Sequence, residues 1–221
     1  MLRVKGLEQH HTELGEDGHQ INPTEHIPKK HLPARLKEGL SGNEIRKIIG
    51  PKSIYKVPGF IDVYHHDELK TRFRKDLLEE LSPVRPTSFI INTGDKDALH
   101  GEHYQAVWIG PTEDEFCRGV DVDFFDSYGE FPYQEDVIET IKYLLDICFC
   151  NETYHFDYNM KPVQNINNPD SITCGYHCCY FLINKNEFRD ITLNRFIKTF
   201  YYDDCSICND NYMIDLFEYH L

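Results

Sequence analysis

No stretch of this chain approaches the ~20 consecutive apolar residues that a membrane-spanning helix needs, so the expectation is a soluble protein with no membrane partner. The first 18 residues lack the apolar segment of a secretory signal, mixing Arg3, Lys5, Glu8, Glu13, Glu16 and Asp17 with His10 and His11. Without a route to an oxidising compartment, the eight cysteines read as free intracellular thiols rather than as a disulfide scaffold of the kind found in short secreted chains. Positive charge is also scarce. Lys and Arg number 23 against 37 Asp and Glu, for a net charge of −14.

The imbalance is uneven. Residues 1 to 80 carry 14 basic against 13 acidic side chains, and residues 81 to 221 carry 9 against 24. Affinity for nucleic acid comes largely from Lys and Arg neutralising phosphates, so the acidic part argues against general DNA binding. The one candidate DNA contact is the basic patch at 29–52, where Lys29, Lys30, Arg35, Lys37, Arg46, Lys47 and Lys52 outnumber Glu38 and Glu44. A solvated helix face is the simpler reading of that patch.

Residues 1–40 show neither helical nor strand periodicity and read as a polar N-terminal extension. Residues 41–221 suffice for a single domain with one sizeable core. No internal repeat is present. Ser41 and Glu44 form an S-x-x-E capping box ahead of Ile45, Ile48 and Ile49, predicting a short helix that stops at Gly50-Pro51. Pro58-Gly59 marks a turn. From about Asp67, Leu69, Phe73, Leu77 and Leu81 recur every four residues and predict an α-helix ending before Pro83.

Thr87–Asn92, Glu102–Ile109, Gly119–Asp126 and Thr153–Tyr158 are short, β-branched and aromatic, as strands of one sheet would be. Val137, Ile138, Ile141, Leu144 and Leu145 have helical spacing. Cys174–Ile183 reads as a buried helix starting at or beside Cys174, with Asn168-Pro169-Asp170-Ser171 supplying turn and cap residue types. Asp190 or Thr192 would cap a further helix through Tyr202, and Asn211 another through Tyr219.

A nucleophilic cysteine needs a base, a group that orients the base, and donors for the oxyanion. Cys174, at a helix start, would have its thiolate favoured by unpaired N–H groups and the helix dipole. Gly175 would let a substrate backbone approach. His103 can serve as base and Asp126 as its orienting carboxylate if their two strands pair. Gln164 can offer its amide to the oxyanion alongside the Cys174 backbone N–H. Taken singly, each has a plainer reading: a surface or core histidine, a turn carboxylate, a polar amide. The order His, Asp, Gln, Cys-Gly in fitting structural contexts is what points to protease chemistry.

The strings Pro162-Val163-Gln164 and Ser171-Ile172-Thr173-Cys174-Gly175-Tyr176-His177-Cys178-Cys179-Tyr180-Phe181-Leu182 closely resemble the active-site segment of adenovirus proteases. Gly101-Glu102-His103-Tyr104 resembles that family's catalytic His and following aromatic, and Phe125-Asp126-Ser127-Tyr128-Gly129 its acidic member before an aromatic-Gly turn. The capped helix at 43–49 and the Pro58-Gly59-Phe60 turn extend the resemblance, which spans residues 41–183. Related enzymes occur in Maverick/Polinton transposons, and ubiquitin-like-protein proteases share the active-site order. The resemblance implies an α+β fold of papain type, with the nucleophile on a central helix and His and Asp on a mixed sheet. It implies a cysteine endopeptidase processing viral or virus-like capsid precursors after small residues such as Gly. The expected setting is a monomeric enzyme in a reducing intracellular compartment, the host nucleus or virion if the chain is viral.

Two departures stand out. The family's oxyanion Gln lies closer to its Cys, six or seven positions before it, whereas Gln164 is ten positions before Cys174. Adenovirus proteases also take an activating peptide, linked through a cysteine upstream of the Gln, and DNA; Cys148 and Cys150 match that position poorly in spacing, and neither cofactor is carried over. A metal site built on His100-x-x-His103 or Cys205-x-x-Cys208 lacks a second matching pair. An isopeptidase for ubiquitin-like modifiers and a domesticated, inactive binding module are the alternative functions.

Overall fold

The computed structural model describes residues 39–74, 76, 86–96, 103–111, 119–132, 134–148, 153–165, 172–188, 191–200 and 206–217. The extension expected at 1–40 lies outside them apart from Gly39 and Leu40. The first helix, α1 (Gly42–Ile49), forms as the capping box requires: the Ser41 side chain accepts from Glu44 N–H at 3.3 Å, and the Glu44 carboxylate accepts from Ser41 N–H at 2.9 Å. Its apolar stripe, Ile45, Ile48 and Ile49, is fully buried. Gly50 closes it, and Gly59 makes the following turn at φ +83°.

Five strands form one mixed sheet in the order β1-β2-β3-β4-β5: β1 (Phe60–His65), β2 (Thr87–Asn92), β3 (Tyr104–Pro111), β4 (Gly119–Asp126) and β5 (Thr153–Tyr158). The outer pairs β1–β2 and β4–β5 are parallel, and β2–β3 and β3–β4 are antiparallel. Alternation along the central strands divides the core in two. Tyr104, Ala106, Trp108 and Phe125 face one cluster, and Val107, Ile109, Val122 and Phe124 the other. Burial on both faces explains why these strands read as nearly continuous apolar runs.

Helix α2 (Glu135–Cys148) covers the second face through Val137, Ile141, Leu144 and Leu145. The first face is covered by α1, α3 (Cys174–Glu187), α4 (Leu193–Ile197) and α5 (Ser206–Phe217). Residues 175–185 of α3 are all buried, so this helix is enclosed on every side rather than amphipathic. Inside it, Phe181 stacks on Phe125 of β4 at 4.9 Å.

Three expectations are corrected. The helix from Asp67 is not α-helical at its start: His66–Glu68 is a 3₁₀ turn and Leu69–Phe73 a π-turn. In that arrangement Leu69 and Phe73 are both buried, while Arg72 on the same turn pairs with Asp62 and Glu68; Leu77 and Leu81 lie outside the described residues. The last helix starts at Ser206, not Asn211, because Asn209 and Asp210 sit within it as buried polar residues bonded across to other segments. Strand β3 starts at Tyr104, leaving His103 just before it, with its carbonyl accepting from Thr93 N–H at 2.8 Å.

Candidate active site

Antiparallel pairing of β3 with β4 sets Gln105 opposite Asp126, bringing the start of one strand beside the end of the other. His103 Nε2 therefore reaches Asp126 Oδ1 at 3.0 Å. The carboxylate is fully buried and accepts two further hydrogen bonds, from Gln105 Nε2 to Oδ2 at 2.8 Å and from Tyr128 N–H to Oδ1 at 2.7 Å. A carboxylate can only accept, so Nε2 carries the proton it shares with Asp126. Asn159, just beyond β5, grips the backbone of Asp126 on both sides, accepting from its N–H at 2.9 Å and donating to its carbonyl at 2.5 Å. The ring of Tyr128 lies flat on that of His103, with centroids 4.4 Å apart and planes 7° from parallel.

Those contacts engage Nε2 of His103 and not Nδ1. It is buried, without a partner at ordinary hydrogen-bond geometry, yet the Cys174 side chain is close enough to act on the ring. Burial works against a charged imidazole here. Hydrogen bonding and charge from Asp126 and Cys174 outweigh it and push His103 up to about 10. A protonated imidazole beside the thiol is the arrangement in which a thiolate is held ready.

Cys174 is the first residue of α3 and a half-buried free thiol. Thr173, in the N-cap position, does not cap the helix; its hydroxyl donates to Asp210 instead. The first N–H groups of a helix have no partners within it, so these are placed to stabilise negative charge at Cys174. Burial pushes the thiols of Cys178 and Cys179 well up, keeping both protonated, and Cys178 donates to Tyr104 O at 3.3 Å.

Gln164 is fully buried. Its side-chain oxygen accepts from Ser127 Oγ at 2.6 Å, and its backbone N–H donates to Ser127 O at 3.0 Å. The amide nitrogen is thereby turned towards Tyr128, whose hydroxyl lies 3.5 Å away. Tyr128 thus touches both His103 and Gln164, and its own hydroxyl is raised by burial, then by charge at Cys174.

Gly175 has a different role from the one expected. A Cβ there would lie 3.1 Å from Leu40 Cβ, 3.3 Å from Tyr104 and 3.5 Å from Ile45. The residue is buried, and its smallness lets α3 close against α1 and β3 rather than admitting a substrate backbone. Gln105, Asn159 and Ser127 were not legible as site residues. Only Gln105 carried a signal, two positions past His103 on an adjoining strand.

Among the described residues no three His, Cys, Asp or Glu side chains gather as a metal site would require; His100 and Cys205 lie outside them. Of the basic patch, Arg46 is engaged with Asp62, Val63 O and Asn43. Residues 29–38 of the patch lie outside the described residues, as do the side chains of Cys148 and Cys150.

The five-stranded mixed sheet with its flanking helices resembles the fold of a solved protease. The chain overlays on the ASFV pS273R protease with a TM-score of 0.53 at 16% identity, covering 84% of this chain and 67% of that one. A de-sumoylating protease overlays more loosely, with a TM-score of 0.42 at 12% identity over 83% of this chain and 84% of that one. No family model matches the sequence, and no curated protein matches it.

Proposed function

We propose that the chain is a cysteine endopeptidase of papain-like, adenovirus-protease type. The carrying observation is that His103 is fixed by Asp126 at 3.0 Å through Nε2, with Nδ1 buried and not hydrogen-bonded, while Cys174 heads a buried helix and acts electrostatically on the same ring. In the reaction, Cys174 thiolate attacks the scissile carbonyl carbon and the oxygen takes the negative charge. The Cys174 N–H and the Gln164 amide stabilise that oxyanion. As the tetrahedral centre collapses, the C–N bond breaks and His103 gives its proton to the departing amine. His103, now neutral, takes a proton from water, which attacks the thioester and frees Cys174.

The substrates are capsid precursor polypeptides of a virus or virus-like element, cut after small residues such as Gly. Support comes from the Cys-Gly-x-x-Cys-Cys-x-Phe-Leu string at 174–182 and from the fold shared with a viral protease. The test is a substrate panel: peptide libraries with Gly before the scissile bond, set against fusions ending in the Gly-Gly of a ubiquitin-like protein. Cleavage confined to the fusions would replace this reading with that of an isopeptidase. Cleavage of neither would favour an inactive binding module.

A further inference from the structure

One carboxylate touches both ends of the nine-residue connection between Gln164 and Cys174. Asp210, in α5, accepts from Asn165 N–H through Oδ2 at 3.2 Å and from Thr173 Oγ1 through Oδ1 at 2.8 Å. Asn165 directly follows the amide donor, and Thr173 directly precedes the nucleophile. His177, one turn into α3, also donates to Asp210 Oδ1 through Nε2 at 3.0 Å. Beside Asp210, Asn209 Nδ2 donates to Val163 O at 2.9 Å, on the other side of Gln164. All five residues other than Val163 are buried polar groups, at 0–8% exposure, and Val163 itself is 3% exposed.

This geometry has a purpose that packing alone does not demand. Burying a carboxylate is costly unless several donors face it, and an apolar residue would fill the same space without that cost. Thr173 gives up its usual capping bond to serve Asp210. The geometry points to Asp210 as a positioning residue that sets the Gln164 amide against Cys174. It rests on the protease reading, and it explains how the oxyanion donor can stand ten residues from the nucleophile: both ends of the connection are pinned to α5, so the connection's length no longer sets their separation. Asn209 holds Val163, on the other side of Gln164 from Asn165.

The test compares amide hydrolysis with alkylation of Cys174 in the full chain. Iodoacetamide reacts by displacement at a saturated carbon, with no oxyanion, so it reports the thiolate and His103 alone. Turnover of a Gly-containing peptide needs the oxyanion donor as well. Asp210→Ala should lower kcat by about tenfold to a hundredfold, with KM and the alkylation rate unchanged. Asp210→Asn keeps one acceptor oxygen and should restore part of the loss. Thr173→Val, which removes a single hydroxyl at constant shape, should lower kcat roughly fivefold and stands in if Asp210→Ala does not fold. Parental kcat in Thr173→Val and Asp210→Asn would overturn the assignment, and so would alkylation falling in step with kcat, which would mean that the network only holds α3 together. A parent chain that neither cleaves nor alkylates at Cys174 fails earlier, at the protease reading.

Discussion

Gln105 stands directly across the sheet from Asp126 and holds the carboxylate oxygen that His103 does not use. With Tyr128 N–H on the other oxygen, Asp126 is fixed from two directions before it touches the imidazole. The imidazole is thus held by a carboxylate that is itself hydrogen-bonded through both oxygens.

That arrangement sets a pH dependence. In the proposed mechanism a protonated His103 releases the amine, and its value is pushed up to about 10, so kcat/KM should hold through neutral pH and fall on an alkaline limb near that value. Asp126→Asn removes the charge and should move the limb down by about 1–3 pH units. Because the folded value exceeds the ordinary ~6.5, the imidazolium's contribution to stability is complete below about pH 6.5 and is lost as the pH rises towards 10. A pH–rate profile showing the same limb in both proteins would contradict this.

Gln164→Ala should reduce kcat by on the order of a hundredfold with little change in KM, while Asn167→Ala and Asn168→Ala should not. Ser127→Ala leaves the amide present but frees it to turn, and should cost roughly fivefold, the worth of one hydrogen bond. Steady-state kinetics on a single peptide substrate distinguishes the four variants.

Gly129 follows the stacked Tyr128 at φ +74°, and a Cβ there would come within 2.7 Å of the Lys161 backbone. Gly129→Ala should destabilise the fold by about 1–3 kcal/mol in urea unfolding. It should also lower activity, since the turn carries both Asp126 and Tyr128.

How far the sequence revealed all this depended on the range of the interactions. Ser41 and Glu44 act within one turn, and Gly119–Asp126 repeats a local pattern, so α1 and β4 fall where they were expected. The order of His103, Asp126, Gln164 and Cys174 could be read along the chain, and the structure brings His103 to Asp126 at 3.0 Å. Roles set by partners far away in sequence could not be read. Gly175 looked like an opening for substrate because Leu40 and Ile45 are invisible from its neighbours. Asn209 and Asp210 gave no local signal at all, because their partners Val163, Asn165 and Thr173 lie 37 to 46 residues away along the chain.

Away from the site, Lys185 of α3 is buried against Asp123 of β4 at 2.7 Å, donates to Ile191 O at 2.9 Å and lies 4.0 Å from the Trp108 ring centre. Burial raises the Asp123 carboxyl even with Lys185 beside it. Lys185→Met would strand that carboxylate and should cost about 3–5 kcal/mol. Adding Asp123→Leu should recover much of the loss, and denaturant unfolding of the single and double variants would show whether it does.

The most direct measurement is hydrolysis of a Gly-containing peptide by the purified parent chain and by Cys174→Ala, followed by mass spectrometry of the products. The parent should cleave at a defined bond and the variant should not cleave at all. Equal cleavage by both proteins would contradict Cys174 as the nucleophile and, with it, the role assigned to His103.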